Sequence, residues 1–276
     1  MNNKNVANAD LKDFYSKWSD KDLNGIDFDI RSAKRKAEAI VSLIPRQLLN
    51  SMNQLLDFGC GYGEVIRSLK QLLPDSVHSA LGLDYSLTAV EEARRRSAGD
   101  CISFEKLPAL DVKENIDFLR TKVSGGVDAI LLIDLLEHVP DCRTLIAQLA
   151  PFTRMFLIKL PVESSVMDNY FLPKEYPSSL HSNGHLREFD SNTVHYFIRS
   201  LGLTPVFETL YRYESEDSFP PLASGTPLKA RLIRFAIKSV KKILSWMMPT
   251  KIFLRLVGGG GYICVASYNV QQVLKP

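Results

Sequence analysis

Five short apolar runs recur between residues 54 and 160, and most of them are separated by stretches with helical character. The runs are Gln54–Phe58, Ser79–Asp84, Cys101–Leu107, Val127–Asp134 and Arg154–Leu160. Segments such as AILLI and MFLIKL are almost continuously apolar, which is typical of strands that are covered on both faces. The alternation of strand and helix therefore predicts an α/β fold with a doubly wound, mostly parallel sheet.

Capping residues and prolines set the expected limits of the helices between these strands. The predicted helices are Glu64–Leu73, which ends before Pro74, Leu87–Arg96, capped by Ser86, and Cys142–Leu149, capped by Asp141. A later helix is expected to begin at Ser191 and to stop at Gly202, and two more strands follow at Thr204–Tyr213 and Gly261–Tyr268. We predict an N-terminal helical lid over residues 1–50 and a main domain over 51–276, with a basic helical insertion at 215–258.

The stretch LLDFGCGYGEV places Gly59, Gly61 and Gly63 at alternate positions directly after the first strand. A dinucleotide fingerprint needs G-x-G-x-x-G, and here the third glycine comes one residue early and Glu64 follows it. Glu64 and the preceding Asp57 would repel a pyrophosphate, so the loop favours a cationic ligand. A simple strand-to-helix turn is the alternative, but it leaves three glycines and the later acidic residue Asp84 unexplained.

Three segments together resemble a known enzyme family. LLDFGCGYGEV, GLDYS and VDAILLIDLLEHVPD are similar to the first, second and fourth motifs of class I S-adenosylmethionine-dependent methyltransferases, in the branch that acts on small molecules and glycans. The likeness covers residues 55–160 and extends to GHLREFD and the last two strands. It implies a Rossmann-like sheet of seven strands, with the last strand antiparallel.

The same resemblance assigns the cofactor contacts. It implies that Asp57, Gly59 and Gly61 hold the methionine end of S-adenosylmethionine. Asp84, at the carboxyl end of the second strand, then accepts the ribose hydroxyls, and Tyr85 lies beside the adenine.

Two more acidic residues follow from the same comparison. Many family members bind the adenine amino group with an acidic residue after the third strand, where this chain has Pro108. Asp111 is the nearest candidate for that contact. Asp134, at the end of the fourth strand, is expected to face the methionine portion or the acceptor.

Histidines are the candidates for catalysis, because methyl transfer to a hydroxyl needs alignment and can need a proton acceptor. We predict that His185 is the base or the substrate anchor and that His138 lies in the cleft, while His78 and His195 are structural. Further substrate contacts are predicted for Tyr15, Trp18, His181 and Arg187. No metal site is predicted, because no H-x-x-x-H pair on one helix face and no pair of aspartates accompanies His138, His181 and His185.

Charge is concentrated in one segment of this 276-residue chain. Eight Lys or Arg residues and no acidic residue lie between Phe219 and Leu256, so the net charge of +3 leaves the remainder at −5. Residues 228–248 predict a basic amphipathic helix that lies on a membrane surface, or that packs over the cleft or on a second subunit. Its wide apolar face disfavours a nucleic-acid partner. With scattered cysteines and no leader or spanning segment, we expect a cytoplasmic protein, with membrane association through this helix.

Together these features predict a methyltransferase with S-adenosylmethionine as cofactor. The expected reaction is O-methylation of a small-molecule, sugar or lipid-linked acceptor. The alternatives are a non-catalytic, membrane-associated protein that binds the cofactor, and an NAD-dependent oxidoreductase, which the glycine spacing disfavours.

Overall fold

The computed structural model describes residues 23–97, 101–109, 112–170, 185–213 and 227–268. Its strands are β1 Gln54–Phe58, β2 Ser79–Asp84, β3 Ile102–Lys106, β4 Val127–Ile133, β5 Thr153–Val162, β6 Thr204–Arg212 and β7 Gly260–Ser267. Its helices are α1 Leu23–Leu43, α2 Arg46–Leu49, α3 Glu64–Leu72, α4 Leu87–Arg96, α5 Val112–Lys122, α6 Cys142–Leu149, α7 Val166–Tyr170, α8 Val194–Ser200, α9 Leu228–Met247 and α10 Thr250–Val257. One 3₁₀ turn, Ala150–Phe152, joins α6 to β5.

The seven strands form one sheet in the order β3-β2-β1-β4-β5-β7-β6. All pairs from β3 to β5 are parallel, and β7 runs antiparallel to both of its neighbours. The predicted fold class is confirmed, including the antiparallel last strand and the helical insertion before it. The strand order reverses between β1 and β4, and ligands of open α/β sheets bind at the carboxyl edge of such a switch point.

The two faces of the sheet carry separate apolar clusters. Alternate residues of β1 and β4 divide between them: Leu56 and Ile130 belong to one cluster, and Leu55 and Leu131 to the other. Helices α5, α6, α8 and α10 cover the first face, and α1, α3 and α4 cover the second. The continuous apolar strands in the sequence are explained by this burial on both sides.

Several local predictions are confirmed and others are wrong. Ser86 and Asp141 accept hydrogen bonds from the first turns of α4 and α6, as predicted. Ser191 does not cap α8. The Asp190 carboxylate instead accepts from the backbone N–H of Asn192 and Thr193. The sequence analysis also missed helix α5. The side-chain amide of its Asn115 accepts a hydrogen bond from the Ala109 N–H and donates one to the Ala109 carbonyl, which fixes the preceding loop.

The N-terminal helix α1 packs against the body of the domain, with Ala37 and Ile40 in the same cluster as α3. A lid function for residues 1–50 stays a prediction, and residues 1–22 lie outside the described part of the chain. Helix α9 lies in the insertion between β6 and β7, as predicted. Among the described residues, no helix combines the length and the apolarity needed to cross a bilayer.

Candidate functional site

The loop after β1 has a left-handed backbone at each of its three glycines. Gly59, Gly61 and Gly63 have φ angles of 84°, 52° and 72°. A Cβ atom on Gly63 would lie 2.4 Å from the Phe104 ring, and one on Gly59 would lie 2.8 Å from Leu135. These two glycines therefore serve the packing of the fold. At Gly61 a Cβ would have no neighbour within 4 Å, so the bare backbone there faces open space.

Asp84 anchors this loop to the end of β2. Its Oδ2 accepts a hydrogen bond from the Gly61 N–H at 2.8 Å, and its Oδ1 accepts from the Ser86 N–H at 2.8 Å. Burial raises the pKa of the Asp84 carboxyl, and the backbone N–H groups of Ser86, Gly61 and Tyr85 oppose that rise. Each carboxylate oxygen has a second lone pair, so Asp84 can hold the loop and still accept from a ligand hydroxyl.

Asp57 lies below the loop and is almost completely buried, with 2% of its surface exposed. Burial raises the pKa of its carboxyl to about 7, the nearby Asp84 contributes to the rise, and Lys36 opposes it. A cation beside a buried carboxylate of this kind lowers the cost of ionising it. The open backbone at Gly61, which lies between Asp57 and Asp84 in the chain, therefore suits a ligand that brings a positive charge and hydroxyl donors.

Two lysines from distant segments meet at Asp134, directly after β4. The Lys159 ammonium on β5 is bonded to Asp134 Oδ1, and Lys36 Nζ on α1 lies 2.7 Å from Asp134 Oδ2. Lys159 has only 1% of its surface exposed. Burial alone would lower the pKa of Lys159, but Asp134 outweighs it and the pKa is raised well above its usual range. Lys159 also donates to the Tyr213 hydroxyl at 2.7 Å.

The sequence analysis did not identify Lys36, Lys159 or Tyr213. The Lys159–Asp134–Lys36 cluster joins α1, β5 and the end of β4, which are far apart in the chain. The one signal in the sequence is the lysine inside the apolar run MFLIKL, because a charge in a buried strand needs a partner. Arg31, inside α1, is exposed, whereas Lys36 on the same helix contacts Asp134.

The two predicted catalytic histidines lie together at the same edge of the sheet. The His138 and His185 ring centroids are 4.8 Å apart in an edge-to-face arrangement, and both residues are buried. His185 Nδ1 lies 2.9 Å from Glu163 Oε2, at the end of β5. Glu137, beside His138, is completely buried and was not considered in the sequence analysis.

Arg187 holds the segment after β5 against the loop after β4. Its guanidinium donates to the Val139 carbonyl at 2.7 Å and the Pro140 carbonyl at 3.2 Å, and it also contacts the Leu136 carbonyl. These contacts give Arg187 a structural role, and its contact with substrate stays a prediction.

Tyr85 is half-buried, and the Lys106 ammonium lies 5.3 Å from its ring centroid.

Four predicted site residues lie outside the described residues: Tyr15, Trp18, Asp111 and His181. One argument from the sequence is weakened by the structure. Glu64 forms an ion pair with Arg67 at 2.9 Å, one turn along α3, so its charge is partly neutralised. The electrostatic case against a pyrophosphate therefore rests on Asp57 and Asp84.

Comparison with known proteins identifies the family of the chain. A family model described as "Methyltransferase domain" matches residues 31–206, which is more than half of the chain. A magnesium protoporphyrin IX methyltransferase from Synechocystis PCC 6803, solved with bound SAH, is similar in structure: 14% identity, 97% of this chain and 100% of that chain covered, and a TM-score of 0.50.

A second solved structure, an O-methyltransferase family protein from Burkholderia thailandensis, has 16% identity, with 67% of this chain and 55% of that chain covered and a TM-score of 0.50. At these identities the structural matches establish the fold only. No curated protein matches by sequence. The family match, together with the predicted motifs, shows that the chain belongs to the class I methyltransferases, the enzymes that use S-adenosylmethionine as their methyl donor.

Proposed function

We propose that this enzyme methylates an oxygen atom of a small-molecule, sugar or lipid-linked acceptor. The observation that carries the cofactor half of this proposal is the open backbone of Gly61, which is bonded to the half-buried Asp84 and follows the buried Asp57 in the chain. When bound, S-adenosylmethionine supplies an electrophilic methyl group on a sulfonium. Asp57, Gly59 and Gly61 would hold its methionine end.

Asp84 and Tyr85 would bind the nucleoside, and Asp111 is the candidate for the adenine amino group. Asp134 would face the methionine portion or the acceptor. Because Lys36 and Lys159 contact different oxygens of this carboxylate, the Lys159–Asp134–Lys36 cluster fixes its orientation at the carboxyl edge of the sheet. Preorganised groups of this kind favour alignment, which is the main requirement of an in-line displacement.

The acceptor half of the proposal rests on the buried histidine pair. A hydroxyl acceptor has to lose its proton, and histidine is the side chain suited to accept it near neutral pH. His185 would hold that proton or anchor the acceptor, and Glu163 Oε2 lies 2.9 Å from its Nδ1. His138 would shape the same side of the cleft, and Tyr15, Trp18, His181 and Arg187 are the further candidate acceptor contacts.

Because the chain belongs to a methyltransferase family, the alternative of an NAD-dependent oxidoreductase is disfavoured. The same membership favours a catalytic over a non-catalytic role. The cofactor site is tested by calorimetric titration with S-adenosylhomocysteine, with NAD as a comparison ligand. We expect clear binding of the first and none of the second. Asp84→Ala would remove both a ligand contact and the anchor of the loop, so a glycine variant tests the site more directly.

Gly61→Ala is expected to weaken S-adenosylhomocysteine binding at least tenfold, because its Cβ would enter the open space at the loop. A left-handed alanine also costs about 1–2 kcal/mol of stability. Gly126→Ala is the matched control, since Gly126 has a φ of 73° in the turn before β4. It should lose similar stability and keep full affinity. Unchanged affinity in Gly61→Ala would contradict the assignment.

We further propose that the enzyme works at an anionic membrane surface, which it contacts through α9. Several apolar residues of this helix are solvent-exposed: Trp246 is 89% exposed and Phe235 is 70% exposed. Leu244, near its end, and Met248, directly after it, pack against the core. An exposed apolar stripe with basic residues on the other side is typical of helices that lie in a membrane interface.

Vesicle sedimentation tests this proposal. Phe235→Ser/Trp246→Ser is expected to reduce partitioning onto phosphatidylglycerol vesicles at least tenfold, because each large side chain loses about 1.5–3 kcal/mol of burial. Tyr196→Ser is the matched control, since Tyr196 is equally exposed on α8. Equal partitioning of all three proteins, or equal binding to neutral phosphatidylcholine vesicles, would contradict the proposed membrane contact.

A further inference from the structure

Glu137 is a carboxylate in an unusual position. It has no exposed surface, and neither of its oxygens has a hydrogen-bond partner, a combination that Glu137 alone shows among the carboxylates described. An ionised carboxylate in a protein interior is costly unless it is paired with a cation or binds a metal. The sheet therefore keeps at its carboxyl edge an acidic group to which no other described residue donates a hydrogen bond.

Two imidazoles lie beside this carboxylate. Each of Glu137, His138 and His185 has a potential ligand atom within 4.8 Å of those of the other two. The cluster is assembled by two chain segments, because Glu137 and His138 follow β4 and His185 follows β5. The Leu186 N–H donates to the Glu137 carbonyl at 2.8 Å, and this bond holds the second segment against the first.

The surroundings of the cluster are acidic. Two further carboxylates act on Glu137: Asp134, three residues earlier, and Glu163, whose Oε2 lies 2.9 Å from His185 Nδ1. The Lys159 ammonium is already bonded to Asp134 and to Tyr213. A divalent cation next to Glu137 would offset the repulsion among these carboxylates.

We propose that Glu137, His138 and His185 bind one divalent transition-metal ion. Two imidazoles and one carboxylate form a donor set that suits Zn²⁺, Mn²⁺ or Fe²⁺ better than Mg²⁺ or Ca²⁺, which prefer oxygen ligands. Glu163 is a positioning residue, because its oxygen lies next to His185 Nδ1 and orients the ring so that Nε2 is the ligand.

Three protein ligands leave coordination positions open, and an acceptor hydroxyl bound there would have a lowered pKa and would release its proton to bulk water. This consequence rests on the proposed methyl transfer to oxygen, and in it His185 acts as a ligand in place of a proton acceptor. It also favours acceptors with two neighbouring oxygens, which can chelate the ion. The metal site itself does not depend on the reaction.

Calorimetry on the full chain, freed of metal with a chelator, tests the site without cofactor or acceptor. We expect Zn²⁺ and Mn²⁺ each to bind at a stoichiometry near one, and Mg²⁺ to bind at least tenfold more weakly. Glu137→Gln and His185→Asn should each weaken Zn²⁺ binding at least tenfold. His78→Asn, which removes an exposed histidine elsewhere, should leave it unchanged.

The fold and the cofactor site are monitored separately, by circular dichroism and by S-adenosylhomocysteine titration of the metal-free variants. Retained binding of S-adenosylhomocysteine with lost Zn²⁺ binding supports the metal site. Absence of Zn²⁺ and Mn²⁺ binding in the wild-type chain would overturn it, and so would Zn²⁺ binding that Glu137→Gln and His185→Asn leave intact. Failure of the S-adenosylhomocysteine titration alone would count against the proposed cofactor residues and not against the metal.

Discussion

Replacing Lys159 by methionine is expected to lower the free energy of unfolding by about 3 kcal/mol, which is the lower end for removing one partner of a buried ion pair. The substitution would remove the ammonium group that now donates to both the Asp134 carboxylate and the Tyr213 hydroxyl. Lys36 still pairs with Asp134 in the variant, and this limits the loss. Urea unfolding followed by circular dichroism measures the change.

Lys36→Met is the matched control for this substitution, because Lys36 contacts the same carboxylate from a side chain that is 26% exposed. A partly exposed pair contributes about 1 kcal/mol or less. The double variant Lys159→Met/Asp134→Asn should recover part of the stability lost in Lys159→Met, since it removes the uncompensated charge. Equally small losses of unfolding free energy in Lys159→Met and Lys36→Met would contradict the larger contribution expected from the buried lysine.

Asp57→Asn is expected to stabilise the ligand-free protein at pH 8 while weakening the binding of S-adenosylhomocysteine at least tenfold. In the native state the Asp57 carboxyl keeps its proton up to about pH 7, whereas the ordinary carboxyl value is 3.8. The native state therefore binds the extra proton between about pH 4 and pH 7, and stability falls as the pH rises through that window. The asparagine side chain does not ionise, so the variant does not lose stability over this pH range.

The size of the stabilisation follows from the shift of about 3 pKa units, which sets an upper limit of about 4 kcal/mol above pH 7. The difference between variant and wild type should be small at pH 4 and should grow to its full value by pH 8, as measured by urea unfolding at both pH values. Asp75→Asn is the control, since Asp75 is exposed. A variant that is less stable than wild type at pH 8, or that binds the ligand with full affinity, would contradict the role given to Asp57.

The sheet could be predicted from the sequence because its strands are continuous apolar runs. β1 and β2 begin and end where predicted, and Ser86 and Asp141 correctly marked the starts of α4 and α6. Helix α5 was missed because its charged residues obscure the apolar face that carries Leu119. Ser191 was predicted as the start of α8, but the side chain that accepts the bonds there is the neighbouring Asp190.

The candidate site could be predicted only where its residues are close together in sequence. The glycine loop and Asp84 form a local motif, and the structure brings Gly61 and Asp84 into direct contact. Lys36 and Lys159 are 123 positions apart, and only the fold brings them to the same carboxylate. Glu137 lies inside the quoted motif LLEHVP, but its lack of a partner depends on packing that the sequence does not reveal.

The hairpin of β6 and β7 brackets an insertion whose first helix, α9, is separable from the sheet, whereas its second helix, α10, belongs to the core. The Tyr213 N–H donates to the Gly259 carbonyl at 3.0 Å, so the chain leaves the sheet and returns to it at almost the same point. The entropic cost of closing a loop rises only slowly with its length, so the sheet tolerates inserted segments of very different length there. Exchange of the segment that carries α9 is therefore a direct way to redirect this catalytic domain to another surface while its register and cofactor loop remain intact.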